Sequence, residues 1–139
     1  LGVIDAYRIV KERFPDLQLA LVGSMATDDP EGWEYFQRTM DYAGDDQDIY
    51  ILSNLNNVGA VEVNAFQTHA GVVVQKSIRE GFGLTVTESL WKARPTVAAN
   101  VGGGAVRTNP ATPATPATTL RTGPRPKRQP VRTCVACRT

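Results

Sequence analysis

The sequence predicts an α/β fold, a partial doubly wound parallel sheet followed by a disordered basic tail. Three observations carry that prediction. Short apolar runs alternate with stretches of helical periodicity over residues 1–104, the pattern of βαβ units. A glycine loop, Gly81-Phe82-Gly83-Leu84, follows one of those runs and leads into a helix, and open α/β sheets bind ligands at such carboxyl ends of strands. From Ala105 onward the chain turns to Pro, Thr and Ala and then to Arg, Lys and Pro, a composition with almost nothing to bury.

The elements follow in order. A helix is expected over Val3–Phe14, stopped by Pro15, and Leu17–Gly23 reads as a strand. Glu31–Tyr42 is the second helix, with Trp33, Phe36 and Met40 on one face and expected in the core. Ile49–Leu52 is a strand, Ala60–Thr68 a helix and Val72–Val74 a strand. Thr85–Arg94 carries Val86, Leu90 and Trp91 at helical spacing until Pro95 stops it, and Pro95–Ala99 is the last strand. Right-handed crossovers place such helices on both faces of the sheet. Four strands bury only a thin core, and uncovered sheet edges invite association.

Composition sets the bounds. A chain of 139 residues fits one domain of the soluble class. No stretch is long enough to span a membrane, and the start lacks the basic and apolar regions of a secretory signal, so a cytoplasmic location is expected. All 14 acidic residues lie in residues 1–104 against 8 Lys/Arg there, while 7 Lys/Arg and no acid lie in residues 105–139. That asymmetry divides the chain into a body, 1–104, and a Pro/Thr/Arg-rich tail, 105–139. Cys134 and Cys137 have the spacing of half a zinc site, without a second pair. His69, the single histidine, closes a helix, where a cation is favourable. No metal or cofactor is expected.

The chemistry concentrates at Glu80 and Glu88, eight positions apart around the glycine loop. Backbone N–H groups at the helix start suit a phosphate, and carboxylates suit vicinal hydroxyls. Lys76 and Arg79 are either phosphate contacts or solvated loop charges. Taken as bland structure, the same run is a glycine turn before a helix with an acid near its start.

On these residues the body resembles the nucleotide-sugar-binding C-terminal domain of retaining GT-B glycosyltransferases of family 4, a Rossmann-like fold. Leu19-Ala20-Leu21-Val22-Gly23 resembles the family's strand-plus-glycine, Gly81–Leu84 its phosphate loop, Glu80 and Glu88 its paired glutamates, and Gly102-Gly103 its later glycines. Asp28–Trp33 and Ser77–Glu88 are most similar to the trehalose synthases, which in turn resemble retaining trehalose phosphorylases. The resemblance implies transfer of a hexosyl, in this case a glucosyl, group from UDP- or ADP-glucose to a sugar acceptor. It implies that Glu80, the catalytic residue, holds donor-sugar hydroxyls and Glu88 the ribose. Main-chain N–H groups of Phe82, Gly83, Leu84 and Thr85 would receive the diphosphate, with Gly81 and Arg79 also part of the donor site. The family's basic pair would precede Leu1, and its acceptor-binding N-terminal domain is not in this sequence. Losing that cation alone costs about 10²–10³ in rate, so this stretch is expected to bind donor weakly without turnover.

Two other readings stand beside this one. One is a non-catalytic module whose basic tail binds nucleic acid non-specifically, with strong salt dependence; Pro130–Arg138 resembles the opening of the YlxR-like proteins, a small bacterial family linked to RNA. The other is a truncated or frame-shifted gene product.

Overall fold

A computed structural model describes residues 1–26, 28–76 and 82–99 and the backbone of 132–138. Helices α1 (Gly2–Lys11), α2 (Pro30–Ala43), α3 (Ala60–His69) and α4 (Leu84–Trp91) alternate with strands β1 (Leu17–Gly23), β2 (Ile49–Leu52), β3 (Val72–Gln75) and β4 (Thr96–Ala98). A fifth strand, β5, spans Arg132–Arg138. The sheet runs β2-β1-β5-β3-β4 and its pairs are parallel. Such an order is doubly wound: the chain steps outward from β1 to β2, crosses to β3, then steps outward again to β4.

Side-chain size assigns the helices to faces. Leu17 and Leu19 of β1 join Ile4 and Tyr7 of α1 and Ala43 of α2 in one cluster. Ala20 and Val22 point the other way, as strand alternation requires. They meet Ala70 and Val73, with Val63 and Phe66 of α3 packed against them. The crossover from β2 to β3 thus changes faces, which is the rule for right-handed connections made in opposite directions.

Local chemistry sets the helix ends. The Asp29 side chain accepts from Gly32 N–H at 3.0 Å, and Pro30 occupies the first turn, where a missing N–H costs nothing. The helix stops at Gly44, whose φ of 63° favours glycine. Ser53 caps a 3₁₀ turn over Asn54–Asn56. The α3 start is held by Glu62, whose carboxylate accepts Gly59 N–H at 2.9 Å. That bond keeps the Glu62 carboxyl below its usual range.

Two expectations need revision. Trp33 and Met40 are 39% and 45% exposed and Phe36 is only half-buried, so the apolar stripe of α2 is not core. Helix α2 buries only Gly32 and Ala43, and a stripe of helical period reports amphipathicity without supplying a partner. Trp33 and Phe36 pack edge to face instead, ring centroids 6.3 Å apart.

Residues 132–138, read as part of an extended or disordered tail, are extended, and the extended backbone is paired on both sides. Leu17↔Arg132 through Gly23↔Arg138 registers β5 on β1, and Val72↔Cys134 through Val74↔Ala136 registers it on β3. The segment has no Pro or Gly and carries β-branched Thr133 and Val135, so its local preferences suit a strand. It joins the half-sheet β2-β1 to the half-sheet β3-β4 and satisfies the backbone groups along both of their inner edges.

Candidate donor site at the start of helix α4

Helix α4 starts after the loop that leaves the carboxyl end of β3. Its N-cap is Gly83, buried and left-handed at φ 75° and ψ 42°, a conformation that strains any residue with a Cβ. As a glycine it offers no side chain to cap this start. The first-turn N–H groups of any helix lack intrahelical acceptors, and here they include those of Leu84, Thr85 and Val86, since the first helical bond is donated by Thr87. The end of the macrodipole they form is positive and favours an anion.

Below that start the helix is tied down. Thr87 donates both its backbone N–H and its hydroxyl to the Gly83 carbonyl at 3.0 Å. Ser89, fully buried, donates its hydroxyl to the Thr85 carbonyl at 2.6 Å. Thr85 and Val86 are buried, so the first turn is seated on the fold. Phe82 and Leu84 stand out at 62% and 55% exposure. Val86 is the one apolar residue of the expected stripe that reaches the core, since Leu90 and Trp91 are 52% and 90% exposed.

Glu88 lies one turn beyond the first and is exposed. Its Oε2 accepts from Gln67 Nε2 of α3 at 2.9 Å. Gln67 is 1% exposed, and its Oε1 accepts from Lys92 Nζ at 2.6 Å. Neither end of the amide is ambiguous, because an ammonium cannot accept and a carboxylate cannot donate. Sequence reading passed over Gln67, although a signal existed. Val63, Phe66, Gln67 and Ala70 sit at i, i+3, i+4 and i+7, so the glutamine occupies an inward position of an apolar stripe.

The structure therefore brings Gly83, Leu84, Thr85 and Glu88 together on one short helix at the carboxyl edge of the sheet, with Phe82 just before it. Arg79, Glu80 and Gly81 lie outside the described residues, as do Gly102 and Gly103. Lys76 is exposed, and its Nζ sits beside Gly2, 2.8 Å from where a Cβ would stand, at the start of α1. His69 is the exposed last residue of α3. Among the described residues no group of three His, Cys, Asp or Glu side chains could hold a metal. No helix among them is long and apolar enough to cross a membrane.

Residues 2–110 match the family of glycosyl transferases group 1. The chain is 69% identical over 103 residues to a trehalose synthase of Rubrobacter xylanophilus, covering 74% of this chain and 25% of that protein. It is 60% identical over 101 residues to the trehalose synthase of Thermococcus litoralis, covering 73% and 24%. A trehalose phosphorylase of Pleurotus pulmonarius is 27% identical over 118 residues, covering 73% of this chain and 16% of its own length. The chain spans about a quarter of the length of the trehalose synthases it matches. With a parallel, doubly wound sheet and a glycine-capped helix at its carboxyl edge, the chain belongs to the glycosyl transferases group 1, a GT-B glycosyltransferase family, and is similar there to trehalose synthases.

Proposed function

We propose that this chain is the donor-binding part of a retaining hexosyltransferase that moves a glucosyl group from UDP- or ADP-glucose to a sugar acceptor, in the manner of a trehalose synthase. The observation that carries the reading is the placing of Glu88. An accessible carboxylate, one oxygen fixed, stands one turn below an anion-favouring helix start at the carboxyl edge of the sheet. A diphosphate on the N–H groups of Leu84 and Thr85 leaves the attached ribose within the reach of a side chain one turn along. Glu80, as the resemblance implies, holds hydroxyls of the transferred sugar. The wall that receives the acceptor belongs to the rest of the enzyme, so residues 1–104 act as a donor-binding unit without turnover.

Calorimetry of the 139-residue chain with UDP-glucose and with ADP-glucose tests this. Saturable binding of one of them is expected, weakened about tenfold in Glu88→Gln, the loss of one hydrogen bond to a charged acceptor. No binding of either donor overturns the reading. Nucleotide release by the isolated chain in the presence of glucose overturns the claim that the acceptor wall lies elsewhere.

A further inference from the structure

Gln67 is a polar side chain where a helix of this pattern calls for Leu or Met. It is 1% exposed and sits among Val63, Phe66 and Ala70 on the inward stripe of α3. An amide buried without partners is costly. Gln67 avoids that cost by reaching across to α4, where its Oε1 accepts a hydrogen bond from Lys92 and its Nε2 donates one to Glu88.

The spacing on α4 makes this arrangement specific. Glu88 and Lys92 stand at i and i+4, the spacing at which such residues pair directly. Yet the described ion pairs are those of Lys11 with Asp46 and Asp48, and Glu88 and Lys92 do not pair with each other. The ammonium is drawn to the amide oxygen instead. The amide passes a hydrogen bond to Glu88 Oε2 without laying a cation over the carboxylate, and Oε1 accepts nothing among the described residues.

We propose that Gln67, backed by Lys92, is a positioning residue that locks the Glu88 carboxylate in one orientation, with Oε1 presented to the ribose hydroxyls of the donor nucleotide. This inference rests on Glu88 being the ribose-binding carboxylate. A free glutamate loses side-chain entropy when a ligand orders it. The buried amide imposes that order during folding, so binding no longer bears it. The consequence is selectivity for a ribose over a sugar lacking the 2′-hydroxyl. Affinity for the diphosphate, held by backbone N–H groups, is not affected by Gln67.

The test is calorimetry of the full chain with whichever of UDP-glucose and ADP-glucose binds, and with its 2′-deoxyribose analogue. Wild type is expected to prefer the ribose form about tenfold, the value of one charge-assisted hydrogen bond. Gln67→Leu reduces the preference to about twofold or less while its affinity for the deoxy analogue stays within about twofold of wild type. Lys92→Met, a change at a half-buried side chain that spares the core, reduces the preference partway. A full preference in Gln67→Leu overturns the inference, as does an equal loss for both ligands, which marks a packing defect. If Gln67→Leu does not fold, Lys92→Met decides, and an unchanged preference there overturns the inference. Glu88→Gln separates the two levels. If it keeps the wild-type preference, the reading of Glu88 itself fails; if it loses the preference while Gln67→Leu keeps it, only the role of Gln67 fails.

Discussion

On one face of the sheet, α1 and the end of α2 rest on large side chains; on the other, α3 rests on small ones. Ile4, Tyr7, Leu17 and Leu19 fill the first face. Ala20, Val22, Ala70 and Val73 make the second. Large residues bury more apolar area, about 1.5–3 kcal/mol for each fully buried side chain. Small ones admit a helix closely enough for a polar residue inside the layer to reach a partner on the next helix. The first face is also clamped at its rim, where Lys11 Nζ meets Asp48 at 2.6 Å, Asp46 at 3.3 Å and the Tyr7 hydroxyl at 2.7 Å. Arg8 there donates to the Tyr42 carbonyl at 2.7 Å, near the end of α2. The second face directs its buried hydrogen bonds through Gln67 toward Glu88. Stability and site therefore draw on opposite faces of one sheet.

The largest effect that can break this comparison comes from the first face. Leu19 is fully buried, and Leu19→Ala is expected to cost about 2–5 kcal/mol in urea unfolding. That is a large part of the about 5–15 kcal/mol available to a domain. Val73→Ala on the second face should cost less, because fewer atoms are removed. If Val73→Ala costs as much as Leu19→Ala, the faces do not divide the labour as stated.

That division was only partly legible in the sequence. The strands Leu17–Gly23 and Ile49–Leu52 stand out because each is a short apolar run, and the observed bounds coincide with the expected ones. The start of α4 was legible because glycine takes a left-handed turn, as at Gly83, without strain. The stripe of α2 misled, since Trp33, Phe36 and Met40 show period but nothing in a period says which stripe finds a sheet. Strand β5 was hidden by its surroundings: a Pro-, Thr- and Arg-rich composition masked seven residues whose own preferences suit a strand. Gln67 was hidden by its type. A polar residue on an inward stripe is read as noise until its partners, 21 and 25 residues away, are known.

The second face stores a small strain that sharpens the comparison. Ala93 follows α4 with φ 52°. Its N–H bonds to the Leu90 carbonyl and that of Arg94 to the Ser89 carbonyl, both at 2.9 Å. This is the Schellman ending, in which glycine normally takes the left-handed place. A Cβ there costs about 1–2 kcal/mol, and glycine returns about 0.5–1 kcal/mol of that as lost chain entropy. Ala93→Gly should therefore raise stability by about 0.5–1 kcal/mol in urea unfolding. A fall in the midpoint would show that the alanine is not strained in this turn.

The smallest effect is electrostatic and belongs to the first face. Hydrogen bonds to Asp48 and Tyr7, and a smaller one to Asp46, hold the Lys11 ammonium above its ordinary 10.5, against the opposing pull of burial. The bond from Lys11, with a smaller one from Gln18, holds the Asp48 carboxyl below its ordinary 3.8. Burial pushes the Tyr7 phenol up, opposed by the bond from Lys11. A depressed carboxyl contributes stability that is complete above the unfolded value, near 3.8, and is lost as pH falls through the folded one. A raised lysine contributes fully below 10.5 and loses its contribution only as pH rises through the folded value. The clamp is thus intact across neutral pH and opens from the acid side first. Asp48→Asn should unfold at lower urea than wild type at about pH 7, and the gap should narrow progressively as pH falls below about 3.8 toward about pH 2. It should also narrow in about 1 M salt, since these partners are partly exposed and screened there. A gap that does not narrow between about pH 7 and about pH 2 would mean that Asp48 acts through the geometry of its loop, leaving the first face to hold by packing alone.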